Sequence, residues 1–319
     1  MGPDPVQVSP VQASPVRRIV VLRALGLGDL LTAVPALRAL RRAHPAARLS
    51  LAAPGWLAPL LPLVGGVDEL VPTAPLAPLD PSLRGADLAV NLHGRGPQST
   101  ALLRASDSGR LLAYGTGDGQ ARWRDDEHEV VRWCRLLVEA GIPADPGDLA
   151  LLRPAAVPAP AGPFALVHPG SAAASRRWPV ERWAAVVSGL PHPVLVSAGP
   201  GEQDRAAQVA ALGGLPPEAV VSGLPLTELA ALVDRAALLL ASDTGVAHLA
   251  TALGTPSVVL FGPVAPAQWG PPPDRTQHVA LWGGIRSDNA GTGPAPGLLA
   301  LHPAEVLAAG RGLLDRRTG

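Results

Sequence analysis

Residues Ser242-Asp243-Thr244-Gly245-Val246-Ala247-His248 follow the apolar run 236–240 and lead into Leu249-Ala250-Thr251-Ala252-Leu253-Gly254. The pattern reads as strand, polar turn, helix. A buried parallel strand ending in such a turn hands the next backbone N–H groups to a helix start. There, four unpaired donors and the positive end of the helix dipole make a pocket for phosphate. A carboxylate such as Asp243 would repel that phosphate unless it points to the hydroxyls of a sugar attached to it, so a sugar nucleotide satisfies both demands. Ser and Asp at this place are equally at home as helix caps, and a second site has to decide.

Near the other end of the chain Arg18-Ile19-Val20-Val21-Leu22-Arg23 runs into Ala24-Leu25-Gly26-Leu27-Gly28-Asp29. Leu30, Val34, Leu37 and Leu40 then recur at helical spacing while Arg38, Arg41 and Arg42 take the other face, so this helix lies with one side on a sheet. Pro35 predicts a kink or a late helix start. The glycine spacing is not the dinucleotide fingerprint, and no acidic residue ends a second strand about twenty residues on, which argues against a nicotinamide cofactor. Asp29 is either a helix cap or, at the mouth of a strand-to-helix turn, a general base.

A third strand-to-loop passage is Phe164-Ala165-Leu166-Val167-His168-Pro169-Gly170-Ser171, which leads through 172–175 to Arg176-Arg177-Trp178-Pro179. Proline favours the first turn of a helix, so one is expected to start at Trp178-Pro179, with Trp178 and Trp183 covering apolar surface. Arginines beside a glycine–serine loop suit a diphosphate, although paired arginines are also an ordinary solvated face. His168, taken alone, reads as structural.

Composition removes whole reaction classes. All 26 basic residues are arginine, so Schiff-base aldolase, pyridoxal-phosphate and P-loop chemistries, which need a lysine amine, are excluded. Equal numbers of basic and acidic residues, 26 each, give no global field for nucleic acid or an acidic membrane. The one cysteine, Cys134, can form neither an internal disulfide nor a cysteine metal cluster and is expected to be buried packing. Residues 1–16 are read as a disordered tail without signal-peptide character, and no apolar run reaches membrane-spanning length.

Apolar strands alternate with helical patterns along the whole chain, which argues for an α/β protein with parallel sheets covered by helices. There are two such sets, 17–153 and 164–319, joined by a proline-dense linker over 154–163, and a cleft is expected between them. The strand in "PSVVLFGP" places Phe261-Gly262-Pro263 at its C-terminal end, where ligands bind in such sheets. Residues 264–274 carry too many prolines for regular structure, and Trp269 is expected to cover core rather than stack on a base. Residues 283–296, rich in Gly, Asp, Asn and Pro, are read as a mobile loop over the cleft.

Taken together, "LRALGLGDLLTAVPALRALRRAHP", "HPGSAAASRRWPVERWAAVV" and "SDTGVAHLATALGTPSVVLFGP" resemble the family-nine glycosyltransferases, which include the ADP-heptose:lipopolysaccharide heptosyltransferases. "GADLAVNLHGR" and "LHPAEVLAA" extend the resemblance over residues 17–310. It implies the GT-B fold of two facing Rossmann-like domains, the N-terminal one binding acceptor and the C-terminal one donor, and transfer with inversion and without a metal or other cofactor. Asp29 matches the family's catalytic base, and Asp243 the carboxylate that meets the donor sugar. The amides of Thr244 and Gly245 match those on the diphosphate. Arg176 stands where the family usually has a phosphate-binding lysine, a departure that keeps the charge in a different shape. Arg177, Ser171 and His248 are placed on the donor side, and Glu202, with Asp204 as an alternative, on the ribose.

Gly28, Asn91, His93 and Arg95 are assigned to the acceptor side. The expected donor is a nucleotide sugar, most simply ADP-heptose, and the expected acceptor a glycan or lipid-linked hydroxyl. The expectation is a cytoplasmic monomer, with room for a peripheral contact with the inner membrane. Two other readings stand beside it: a sugar-nucleotide epimerase using His93 and His168, and a catalytically silent nucleotide-sugar-binding protein.

Overall fold

A computed structural model describes residues 15–115 and 121–318. The tail expected over 1–16 therefore lies, but for Pro15 and Val16, outside the described residues. In the first half the order is β1 (Arg18–Leu22), α1 (Leu27–Ala43), β2 (Arg48–Ala53), α2 (Leu61–Val64), β3 (Glu69–Pro72), β4 (Leu88–Asn91), α3 (Gln98–Arg104), β5 (Arg110–Leu112) and α4 (Glu129–Glu139). The second half opens with β6 (Ala165–His168), α5 (Val180–Gly189), β7 (Val194–Ala198), α6 (Gln203–Leu212), β8 (Val220–Ser222) and α7 (Leu226–Arg235). It closes with β9 (Leu238–Ser242), α8 (Gly245–Leu253), β10 (Ser257–Phe261), α9 (Pro266–Trp269), β11 (His278–Trp282), α10 (Pro296–Leu299) and α11 (Pro303–Thr318).

The strands form two parallel sheets, ordered β3-β2-β1-β4-β5 and β11-β10-β9-β6-β7-β8. Read from its other edge, the second sheet has the spatial order 3-2-1-4-5-6 of the doubly wound nucleotide-binding fold, and the first has the same order less one strand. The chain reverses its direction of growth between β1 and β4 and again between β6 and β9, which pair directly. In such sheets a crevice opens beyond the strand ends at that reversal. The turns and helix starts that follow β1, β4, β6 and β9 are the ones that carry Gly28-Asp29, His93-Arg95, Ser171-Arg176 and Asp243-Gly245.

The central strands are apolar on both faces because helices cover both. Val20, Val21 and Leu22, and all five residues of β9, are buried. One core cluster runs from Ile19 and Leu37 through Trp133 to Val246 and Leu249, so the two halves share apolar contacts along α1 and α8. The Trp-Pro expectation holds: α5 starts immediately after Pro179, and Trp178 and Trp183 are buried edge to face with centroids 5.1 Å apart. Cys134 is buried as expected.

Three sequence expectations are corrected. Helix α1 does not start late: it begins at Leu27 and runs through a buried Pro35. Tertiary burial of its apolar face compensates for the hydrogen bond that proline removes. Residues 264–274 do contain one helical turn, α9, with Pro266 at the position where its missing N–H costs least. The stretch 283–295 forms no helix or strand but is tied down. Ser287 N–H donates to the Pro263 carbonyl at 3.2 Å, Ala295 N–H to the Ser175 carbonyl at 2.9 Å, and Ser175 Oγ to the Asn289 carbonyl at 2.7 Å.

Candidate functional site

Two glycine turns meet where the halves face each other. A Cβ built on Gly28 would lie 2.8 Å from Cδ2 of His248, and one built on Gly245 would lie 2.7 Å from Cβ of Leu27. Only a hydrogen fits at either place, so the starts of α1 and α8 approach face to face. Gly245→Ala is expected to lower stability by about 1–3 kcal/mol through overpacking, although alanine is the better helix former by roughly 0.5–1 kcal/mol. Urea unfolding reads this, and an unchanged or higher midpoint would show that the halves part freely.

A cavity of ≈ 500 Å³ opens at this junction. Asp29 lines it from the first half; Arg176, Asp243, Thr244, Gly245 and His248 line it from the second. Gly28, Ser171, Trp269 and Asn289 are also part of the wall. A second cavity of ≈ 460 Å³ adjoins it, with Ser171, Thr244 and Gly245 lining both. The second is bounded by His168, Ser197, Glu202, Leu224 and Leu229. The start of α8 therefore stands between a polar chamber and a more apolar one.

Asp243 is 5% exposed, and burial raises its pKa above the ordinary carboxylate range, opposed by the Arg176 and His248 charges. Its Oδ1 is 3.8 Å from His248 Nε2 and its Oδ2 is 3.6 Å from Arg176 Nη1. Burial likewise lowers the pKa of His248, with Asp243 pulling the other way. Arg176 donates through Nη1 to the Asp243 carbonyl at 2.9 Å and through Nε to Asn289 Oδ1 at 3.1 Å. A lysine would have to meet both acceptors and a ligand from a single nitrogen, whereas the arginine fork spreads them over three and leaves Nη2 for a ligand. The hydroxyls of Ser242 and Thr244 are buried without a partner, which adds unused polar capacity beside the helix start.

Asp29 is both a cap and a lining residue. Its Oδ2 accepts the Gly26 N–H at 3.1 Å, closing the first turn of α1, and its Oδ1 lies 3.2 Å from Arg23 Nη2. Arg23 is 1% exposed at the end of β1. It also pairs with Glu129 Oε1 at 2.9 Å and lies 4.9 Å from the ring centroid of Trp133, whose indole N–H donates to the same Glu129 oxygen at 2.9 Å. Thus α4 reaches across to hold the arginine that holds Asp29. The sequence signal for this was an arginine ending an otherwise buried apolar strand; Glu129, 106 residues away, gave none.

The other assigned residues divide. Glu202 lines the second cavity, with Oε2 accepting the Gly199 N–H at 2.9 Å and lying 3.5 Å from His168 Nε2; Asp204 is exposed and outside it. His168 is buried, with Nδ1 3.0 Å from Ser197 Oγ, and burial lowers its pKa against the pull of Glu202. Arg177 turns back onto its own loop, donating to the carbonyls of Ser171 at 2.7 Å and Ala172 at 3.1 Å, so it braces the loop rather than lining either cavity. Asn91 is enclosed at 0% exposure, with its amide N–H groups on Ser99 and Thr100 and its oxygen on the His93 N–H. It shapes the loop and offers an acceptor nothing.

His93 is half-buried near Arg23 and Asp29, and burial, then the Arg23 charge, lowers its pKa. Arg95 lines a separate cavity of ≈ 790 Å³ with Arg104, Arg122 and Trp123. Trp269 packs against the main core cluster, as expected, and also lines the Asp29 cavity, edge to face with His248 at 5.9 Å. Trp56, 55% exposed and lining both central cavities, went unnoticed because an exposed tryptophan in a proline-rich stretch carries no local pattern.

The sequence matches the family model described as glycosyltransferase family 9 (heptosyltransferase) over residues 120–287. It is 32% identical over 100 residues to lipopolysaccharide heptosyltransferase 3 of Escherichia coli, a match covering 30% of this chain and 29% of that protein. It is 29% identical over 148 residues to lipopolysaccharide heptosyltransferase 1 of Pseudomonas aeruginosa, covering 44% of this chain and 41% of that one. The matches thus span less than half the length of these curated relatives. Among solved structures the chain is similar to E. coli ADP-heptose lps heptosyltransferase II, with a TM-score of 0.75 and 19% identity over 95% of this chain and 100% of that one. At that identity the likeness speaks for the fold: two facing α/β halves, the GT-B arrangement.

Proposed function

The chain belongs to glycosyltransferase family 9, and on that premise we propose that it transfers a sugar, most simply a heptose, from an ADP-linked donor to a hydroxyl of a cell-envelope glycan or lipopolysaccharide core, with inversion and without a metal. The observation that carries this reading is one cavity with Asp29 on one wall and Arg176, Asp243 and the start of α8 on the other. The donor lies with its diphosphate at the N–H groups of Thr244 and Gly245 and at Arg176, its sugar toward Asp243, and its nucleoside in the adjoining chamber beside Glu202. Asp29 takes the proton of the acceptor hydroxyl, the acceptor oxygen bonds to the anomeric carbon, and the carbon–oxygen bond to the diphosphate breaks with its electron pair. A positioned base contributes roughly 10²- to 10⁴-fold. The leaving charge is met by Arg176 and the helix dipole.

No helix among the described residues is long and apolar enough to cross a membrane. On this reading the reaction is cytoplasmic and a lipid-linked acceptor is met at the membrane surface. The silent-binding reading keeps one observation in its favour: both oxygens of Asp29 already have partners, Gly26 and Arg23.

The donor site is tested by thermal-shift titration with ADP, UDP, GDP and their sugar conjugates, each with magnesium and again with a chelator. A ligand at about 100 times its dissociation constant adds roughly 2.7 kcal/mol, a shift of about 4 °C in a chain of this size. A chelator-insensitive shift with ADP or its sugar conjugate is the expected result, and no shift with any nucleotide would sink the donor site.

A further inference from the structure

Of the seven tryptophans Trp56 alone is exposed. It is carried by a 3₁₀ turn, Gly55–Leu60, that follows β2. Single apolar side chains on a surface are ordinary, but the place of this one is not. Trp56 lines both the ≈ 500 Å³ chamber at Asp29 and the adjoining ≈ 460 Å³ chamber. In the second chamber it and the buried Leu27 are the only lining residues that come from the first half of the chain.

The turn that carries Trp56 is anchored. Leu57 and Leu60 are buried in the same core cluster as Ala230, Leu232 and Val233 of α7, and the turn packs against that helix across the junction of the halves. Pro54 before the turn and Pro59 inside it restrict its backbone further. The first turn of α7 supplies Leu226 and Leu229, which line the second chamber together with Val221 and Leu224. Trp56 is thus an aromatic side chain on a fixed turn beside an apolar wall, with much of its own surface left uncovered.

We propose that Trp56 is a donor-binding residue supplied by the first half, its indole stacking on the base of the donor's nucleoside, with Leu224 and Leu229 in the apolar surroundings of that base. This rests on the donor reading above and extends it. The face of an indole is apolar and carries the negative side of a quadrupole, so it disfavours a diphosphate and suits a flat, uncharged ring. On the same reading the diphosphate is met by Arg176 and the start of α8, and the ribose by Glu202, which leaves the base for the one aromatic side chain in the second chamber. A donor so held touches both halves and ties them together across the cleft. Every base has a face to stack on, so Trp56 contributes affinity rather than a choice between bases.

The test is calorimetric titration of the full chain with ADP and with inorganic pyrophosphate, which lacks the base. A base stacked on an aromatic side chain is worth roughly 5- to 150-fold in affinity by alanine substitution. Trp56→Ala should therefore weaken ADP at least fivefold and leave pyrophosphate within twofold, whereas Arg176→Ala should weaken both. Trp56→Phe keeps an aromatic face and should hold ADP within about threefold of the wild type. Because the side chain is exposed, the urea midpoint of Trp56→Ala should match that of the wild type. A folded Trp56→Ala protein that binds ADP as the wild type does, or that loses ADP and pyrophosphate equally, would overturn the proposal and leave the donor site standing. A wild-type chain that binds no ADP would bring down the donor reading and this inference with it.

Discussion

Asp29→Asn is expected to lower turnover by roughly 10²- to 10⁴-fold while leaving ADP affinity within about twofold, because the proposed diphosphate contacts, Arg176, Thr244 and Gly245, lie on the opposite wall. Asparagine is the informative replacement. Its side-chain oxygen can still accept the Gly26 N–H and hold the first turn of α1, while its NH₂ replaces the oxygen facing Arg23, so the basicity, the charge and one acceptor of Arg23 are removed and Arg23 is left to Glu129. Asp29→Ala removes the cap as well and should cost about 1 kcal/mol of stability on top of the same kinetic loss. Steady-state transfer from an ADP-sugar, paired with nucleotide titration and urea unfolding, separates the two roles. If Asp29→Asn turned over normally and Asp29→Ala were merely less stable, Asp29 would be a cap, and the base would have to be sought elsewhere, with His93, which feels the Asp29 charge, one titratable candidate.

That ambiguity shows what the sequence made legible and where it stopped. Alternating strands and helices, three glycine turns and the proline-dense break sufficed for two parallel α/β halves, since each of those signals is local. The strand ends that carry Asp29, Arg176 and Asp243 were legible for the same reason: a polar turn after a buried strand is visible in a dozen residues. Partners distant in sequence were not. Asn289 bonds to Arg176 across 113 residues and Glu129 to Arg23 across 106, and no local pattern announces either contact. Orientation was equally hidden. Asn91 and Arg177 sit in the right loops but turn inward onto Ser99 and Thr100 and onto the loop carbonyls, and only the folded chain decides which way a loop side chain faces.

Asp243→Asn should separate function from stability more sharply than any other substitution in the site. The carboxylate is enclosed and its pKa is raised chiefly by burial, so ionising it costs more in the folded chain than in the unfolded one. The sign follows from linkage: no cost below the unfolded value near 3.9, a growing cost as pH rises through the folded value, and the full cost above it. Asparagine escapes that cost while keeping the backbone bonds, the N–H to the Leu260 carbonyl and the carbonyl accepting from Arg176. The variant should therefore match the wild type in urea unfolding at pH 3 and exceed it by about 1 kcal/mol at pH 7. Transfer should fall by roughly 10²-fold or more as the proposed contact to the donor sugar is lost. Arg176 keeps its Asn289 bond and, partly exposed, does not become an isolated buried charge. Should the variant instead be less stable at pH 7, then Arg176 and His248 more than offset the burial of Asp243, and the carboxylate would be a structural ion-pair partner rather than a group held at a cost for the donor.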